Sequence, residues 1–548
     1  MHRRLQDGYL RRDFLNIWLA VLCALVIAAC GGGNTTTPEK SNTPGQAFRQ
    51  VLTFPNVGTT DVAALDPTRG VDQNSGIAVN MIYSGLVRAD QNLNVVPDQA
   101  SWESTDNKVY TFTLKSGITF SDGTPVTAQT YVDSWTRALL PSVASPVAPT
   151  FEAPIVGADD VANGKSKVLT GLKAVNEHTL QVTLKRPTSY FLQALTNNFF
   201  FPINSRVIAR YGEKNWAQYI AGNGVGTGPL MVKEWQHNVK LVLVPNPHYY
   251  GDRTRLAEVD MLFVNDPVSA FKSYRAGQYD FVWNLAATDQ QIANTMPGFI
   301  RKPLLQTDVL FFDNSKPPFN NTTVRQAFAY ATDKQALVHA VFKDSVGAAP
   351  TILPPGMTGY QPDYQGLSYN PERAKALLQS VYPDVTKMPT ITFSYPSSQV
   401  SSAEAAALQQ MWQSALDIQV KTLALELNTY NQMTANHQVQ FGFIEWTADF
   451  PDPYDWLTLN LVSTVAENAG QWHNPQFDQL VAQAEATSGD ARIMLYNKAE
   501  QVAVTDVGWL PLDHPMLAAV IPPRVHGVSI NGNGLYFGDW SGVSLSPR

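Results

Sequence analysis

The segment Val109-Tyr110-Thr111-Phe112-Thr113-Leu114 alternates strictly. Tyr110, Phe112 and Leu114 fall on one face and Val109, Thr111 and Thr113 on the other, the period of a strand with one buried side. Ser116-Gly117 and Asp122-Gly123 then flank Ile118-Thr119-Phe120 as turn signals. Beyond them the period changes. Thr127 is placed as an N-cap, and Val132, Trp135 and Leu139 follow at helical spacing. Asn370-Pro371-Glu372 opens a second helix with a cap, a proline and an acidic first turn. Ala374, Leu377, Leu378 and Val381 form its apolar stripe. Strand and helix periods interleaved in this way predict an α/β body. No internal repeat is present.

The first thirty residues read as an address. Arg3, Arg4, Arg11 and Arg12 precede an apolar run over 17–29, shorter than the roughly 20 residues a spanning helix needs and proportioned like a secretory h-region. The run closes on Ile27-Ala28-Ala29-Cys30, which resembles a bacterial lipobox, with Cys30 as the lipid-attachment residue after removal of 1–29. Arg11-Arg12-Asp13-Phe14-Leu15 also resembles a twin-arginine export signal, so either export route stays open. Residues 30–47 are rich in Gly, Thr, Asn, Ser and Pro and predict a flexible tether.

Removing 1–29 from the 548 residues leaves 519, enough for two or three domains or one large bilobed body. The net charge moves from −7 to about −9, since the leader holds four arginines and two aspartates. An acidic surface without a basic stripe argues against nucleic acid. Both cysteines, Cys23 and Cys30, lie in the first thirty residues, so the body has neither a disulfide framework nor a thiolate metal site. The nine histidines are scattered, and no zinc, nucleophile-elbow or phosphate-loop motif occurs, so no catalytic residue, metal or cofactor is expected. Gly224-Val225-Gly226-Thr227-Gly228 runs into a strand-like Pro229-Leu230-Met231-Val232, whereas a phosphate site needs a helix behind its glycines. It reads as a tight turn.

Several longer motifs occur in order. The densest is Val109 to Leu114 continued by Phe120-Ser121-Asp122-Gly123-Thr124-Pro125-Val126-Thr127-Ala128. With it stand Leu65-Asp66-Pro67, Gly226-Thr227-Gly228-Pro229, Lys316-Pro317-Pro318-Phe319-Asn320 leading to Val324-Arg325-Gln326-Ala327, and Tyr369-Asn370-Pro371-Glu372-Arg373-Ala374-Lys375. On these, residues from about 51 to 540 resemble the extracellular solute-binding proteins (family 5) of peptide ABC transporters, the oligopeptide binders above all. The resemblance implies a bilobed periplasmic-binding-protein-like α/β fold (type II, cluster C), with an extra subdomain and a hinge between lobes that closes on the ligand. The expected partition is 48–83, 207–265 and 512–548 for lobe I, 84–206 for the inserted subdomain and 266–511 for lobe II.

The sharpest local signal is Glu445-Trp446-Thr447-Ala448-Asp449-Phe450-Pro451-Asp452-Pro453. In the family the aspartate of Trp-x-x-Asp binds the α-ammonium of a peptide, which implies Asp449 here. A carboxylate in a closed cleft suits that task, because a charge-assisted hydrogen bond is worth roughly 1.5–3 kcal/mol. The same residue could instead cap a turn before the proline-rich loop. The resemblance also makes Trp446 a pocket wall, although a tryptophan is often plain core. It gives Glu445 to Thr447, and Val71, Asp72 and Gln73, as the two extended stretches whose backbones pair with the peptide. Leu427 stands where the family pattern has a pocket tryptophan. Phe443 stands where it has an arginine for ligand carboxylates, and Thr447 takes one of two cysteine positions.

The expected function is therefore a monomeric, lipid-anchored binding protein on the outer face of the cytoplasmic membrane, handing peptides to permease subunits. Alternatives are the same role with a sugar, nickel chelate or opine, a surface peptidase, or a receptor that senses peptides without importing them.

Overall fold

The computed structural model describes residues 49–70, 72–536 and 540–547. The leader, Cys30, the 30–47 tether and Val71 lie outside the described residues.

One body is built on a four-stranded sheet in the order Val51–Val57, Glu258–Val264, Lys240–Pro245 and Leu230–Gln236. The first pair is parallel and the others are antiparallel. Leu52, Phe54, Leu241, Leu243 and Met261 are fully buried on it. The helix Gln73–Ile82 packs there through Ile77, Met81 and Ile82, and the helix Pro267–Arg275 through Ala270 and Phe271. A smaller sheet joins the same core, with Met516–Val520 hydrogen-bonded between Val282–Trp283 and Phe299–Pro303. This corrects the expected boundaries. Residues 267–303 belong to the first body because their strands pair with 516–520, so the chain crosses near 304 and 515 and not at 265/266 and 511/512.

The second body carries a six-stranded mixed sheet ordered Gly347–Ala348, Leu510–His514, Gln306–Phe312, Phe441–Thr447, Ile391–Pro396 and Val420–Leu425. One face is covered by the helix Gln399–Leu416, over a core containing Leu310, Phe312, Phe393, Trp412 and Phe441. The other face packs Val309, Phe311, Trp456, Trp472 and Trp509.

Between residues 86 and 200 lies a third core, on the antiparallel sheet Ala100–Glu103, Val109–Leu114, Thr179–Thr183 and Leu172–Asn176. Here Tyr110, Phe112 and Leu114 are buried while Thr113 is exposed, as the alternation predicts. Thr127 and Thr130 close a capping box on the helix Ala128–Leu139, and Trp135 and Leu139 are buried. Asn370 caps the helix Pro371–Val381, whose Ala374 and Leu378 are buried. The glycine-rich turn precedes a strand, and a Cβ on Gly226 would sit 1.8 Å from the Ile82 carbonyl oxygen, so only glycine fits this backbone contact.

The inserted subdomain is tied to the first body by charge. Arg137, on the helix Ala128–Leu139, donates to Asp66 Oδ2 at 2.7 Å and to Glu213 Oε1 at 2.5 Å. Asp66 is 1% exposed, and its Oδ1 also accepts from the Thr68 N–H and hydroxyl. This accounts physically for the Leu65-Asp66-Pro67 motif. Removing one partner of a buried pair leaves the other charge uncompensated, a loss of about 3–5 kcal/mol. Asp66→Ala should therefore lower the urea midpoint of unfolding, and Asp66→Ala combined with Arg137→Met should recover part of the loss. Equal midpoints for the parent and the single variant would exclude this anchoring role.

Candidate functional site

A cavity of about 500 Å³ opens between the two bodies and the inserted subdomain, within the range of small-ligand sites. The first body contributes one face of the helix Gln73–Ile82, where Gln73, Gly76, Ile77 and Asn80 recur at helical spacing. The subdomain contributes Arg88 and the turn 196–198. The crossover near 304 contributes Leu304, and the second body contributes Gln306, Thr447, Ala448 and Asp449.

Asp449 follows the strand Phe441–Thr447, and its backbone is pinned from two sides. Its N–H donates to Asp455 Oδ2 at 3.2 Å, and its carbonyl accepts from Asn197 Nδ2 at 3.3 Å. The loop beyond is locked by Arg492, which grips Asp452 bidentately at 2.6 and 2.7 Å with both side chains buried. The Asp449 carboxylate makes no hydrogen bond or ion pair with any described residue, although it is only partly exposed. Burial pushes its carboxyl up to about 6. Asp455 is fully buried. Burial first, and the charge of Asp449 second, push it well above the usual carboxylate range.

The strand leading to Asp449 is paired unequally. On one side all seven residues from Phe441 to Thr447 pair antiparallel with Phe312 to Gln306. On the other, only Phe441 and Gly442 pair, with Phe393 and Ser394. The edge from Ile444 to Thr447 is thus open among the described strands, and it leads to the cavity wall at Thr447 and Asp449. An open edge of this kind can accept another extended backbone.

The remaining expected site residues divide. Asp72 and Gln73 line the cavity, and of the two only Asp72 has an extended backbone. Asp72 is the N-cap of the helix, accepting from the Ser75 N–H at 2.9 Å, and Gln73 is the first helical residue. Trp446 is half-buried against the second body's core and donates its indole N–H to Asp455 Oδ2 at 3.1 Å, so it braces Asp449 from behind. Glu445 lies on the strand outside the cavity wall. Thr447 faces Gln306 across the strands, so a disulfide between these paired positions is ruled out. Phe443 is a core residue, 6% exposed and edge-on to Phe393 at 5.0 Å. Leu427 is 56% exposed at the start of the helix Leu427–Ala435 and is not part of the cavity wall. The sequence reading missed Asn197 and Asp455. Asp455 follows Asp449 by six residues, but nothing in its pattern separates it from an ordinary loop acid. Asn197 is 252 residues from its partner.

The sequence model of the bacterial extracellular solute-binding proteins, family 5, matches residues 94–468. The periplasmic oligopeptide-binding protein OppA of Escherichia coli is 31% identical over 526 residues, covering 93% of this chain and 95% of that one. The probable deoxycholate-binding periplasmic protein YgiS of the same organism is also 31% identical, over 90% of this chain and 92% of that one. Among solved structures, the Escherichia coli murein tripeptide binding protein MppA superposes with a TM-score of 0.78 at 29% identity, over 92% of this chain and 99% of the other.

The raised carboxyl of Asp449 has a consequence for stability. Its folded value of about 6 exceeds the ordinary unfolded value of about 3.9, so its ionisation destabilises the ligand-free fold as pH rises from about 4 through 6. Asp449→Asn removes that charge. The variant should gain thermal stability over the parent at pH 8 and show little gain at pH 4, by calorimetry on ligand-stripped protein. A gain independent of pH would contradict this.

Proposed function

This chain belongs to the bacterial extracellular solute-binding proteins, family 5, and from that premise we propose that it captures peptides, oligopeptides above all, for an ABC importer. It binds and releases its cargo and catalyses no reaction. The bilobed α/β fold closes two bodies around the ligand, and permease subunits receive it from the closed form. The observation that carries the peptide reading is the open edge from Ile444 to Thr447, ending on an Asp449 carboxylate without an internal counter-charge. Main-chain pairing serves any peptide sequence, and a carboxylate at the end of the edge suits the ammonium that every peptide carries. In this reading Asp449, Thr447, Asp72, Gln73 and Val71 touch the ligand, Glu445 borders it and Trp446 holds Asp449 in place. Phe443 and Leu427 drop out of the contact set, so no arginine at the former position takes a ligand carboxylate.

A second reading keeps the transport role with a different solute, in view of the similarity to a probable deoxycholate-binding protein. Deoxycholate is an anion, and the carboxylate of Asp449 disfavours it. The motif Ile27-Ala28-Ala29-Cys30 supports lipid attachment at Cys30, with a monomeric body held at the outer face of the membrane by residues 30–47.

Mass spectrometry of ligands released from the protein as purified tests the substrate. Short peptides with free amino termini are expected, and a single non-peptide species would overturn the peptide reading. Asp449→Asn should weaken binding of a trialanine-type peptide by at least tenfold with the fold retained. Parent affinity should fall by about tenfold between pH 7 and pH 5, because only the ionised carboxylate accepts the ammonium. Affinity that is flat with pH, or unchanged in the variant, would remove Asp449 as the anchor.

A further inference from the structure

Three carboxylates stand side by side across three adjacent strands of the second body. Asp308 on Gln306–Phe312 is the register partner of Glu445 on one side and of Asp513, on Leu510–His514, on the other. Like charges directly opposite one another destabilise a sheet. A fourth acid joins them from the covering helix Gln399–Leu416: Glu404, whose carboxylate lies within the influence of Asp308, Glu445 and Asp513. On this face Phe441 and Phe443 are core, and the strand emerges through Glu445 to Thr447 at the cavity wall.

The group lacks its opposite charge. Asp513 is 0% exposed and neither carboxylate oxygen has a partner; Glu404 is 7% exposed with Oε1 unpartnered. No Lys, Arg or His among the described residues forms an ion pair with any of the four. Gln306 gives one neutral hydrogen bond, Nε2 to Asp308 Oδ1 at 2.8 Å, and itself lines the cavity. Two bases, Lys334 and the neighbour of Asp513 in sequence, His514, have other partners. Lys334 donates to the Ala349 carbonyl, and His514 lies between the Thr307 and Thr351 hydroxyls. Burial, reinforced by the mutual repulsion of the group, pushes Asp308, Glu404 and Asp513 well above the carboxylate range. Among the described residues no three such side chains converge closely enough to hold a metal ion. Gln306 and Thr447, paired two residues along the same two strands, line the cavity, so the acids lie just behind its wall, with Glu445 exposed.

We infer that Asp308, Glu404, Glu445 and Asp513 form a cation subsite that receives the lysine or arginine side chain of a bound peptide. The inference rests on the peptide reading above. A ligand strand anchored at Asp449 and running along the open edge reaches the level of Glu445 after four strand residues, roughly 13 Å at about 3.3 Å each. That places the basic side chain at the third or fourth ligand residue. The arrangement also reverses what the resemblance implies for this end of the cleft, where Phe443 replaces an arginine: the chain presents negative charge there, so it selects positive charge.

The test is calorimetric titration at pH 7 with four tetrapeptides, Ala-Ala-Lys-Ala and Ala-Ala-Ala-Lys and the Nε-acetyl-lysine counterpart of each. Acetylation removes the charge and keeps the stem. At one of the two positions the lysine peptide should bind at least tenfold more tightly than its acetylated partner. Glu404→Gln, Asp513→Asn and the exposed Glu445→Gln should each shrink that ratio at least threefold. Glu445→Gln keeps the test valid should either buried substitution fail to fold. Tight binding of all four peptides without preference would overturn the cation subsite and leave peptide binding standing. A preference that survives all three substitutions would equally overturn this assignment. Failure of every peptide, with peptides also absent from the released ligands, would overturn the function itself and this inference with it.

Discussion

The full-length antiparallel pairing of Phe441–Thr447 with Gln306–Phe312 sets the geometry on which the binding site depends. Because side chains alternate along a strand, a slip of one residue would exchange Ile444 and Trp446 for Glu445 and Thr447 between the two faces. Seven consecutive pairs prevent that slip. The opposite edge is paired over only two residues, which leaves the last part of the strand free to accept another chain. One strand thus holds the core of the second body together at its Phe441 end and presents an open edge at its Thr447 end.

Two kinds of buried acid occur in the protein, and the presence of an arginine partner separates them. Asp452 and Asp66 are structural. Each is buried against an arginine, Arg492 or Arg137, with short charge-assisted hydrogen bonds. Among the described residues Asp449 and the group of Asp308, Glu404, Glu445 and Asp513 have no such partner, and burial raises the carboxyls of Asp449, Asp308, Glu404 and Asp513. Unpaired acids in a desolvated setting are destabilising in the empty protein. In the proposed function a ligand supplies the missing positive charge.

The inserted subdomain also packs against the loop that follows this strand. Phe450, one residue past Asp449, enters the core of the inserted subdomain and stacks on Tyr190 with ring centroids 5.3 Å apart, while Tyr454 stacks on the same ring at 4.1 Å. Together with the Asn197 contact to the Asp449 carbonyl, this joins the subdomain to the loop that carries the anchor. The side of the cavity lined by Asp449 and Asn197 is therefore built by two parts of the chain in contact.

Local features were legible in the residues themselves. The alternation of Val109–Leu114, the caps at Thr127 and Asn370 and the turn before Leu230 depend on near neighbours, and the structure forms each as read. The Trp-x-x-Asp motif likewise pointed to Asp449, which lines the cavity. What escaped reading depends on distance along the chain. The first body's boundary moved to 304 because a strand at 516–520 pairs with segments more than 200 residues earlier. Phe443 and Leu427 occupy aligned positions, yet one is core and the other exposed, since burial follows from which helix covers which face. Asp308, Glu404, Glu445 and Asp513 look like four ordinary surface acids in sequence. Only strand register and one covering helix bring them together, because charge proximity is a property of the tertiary structure and not of the chain.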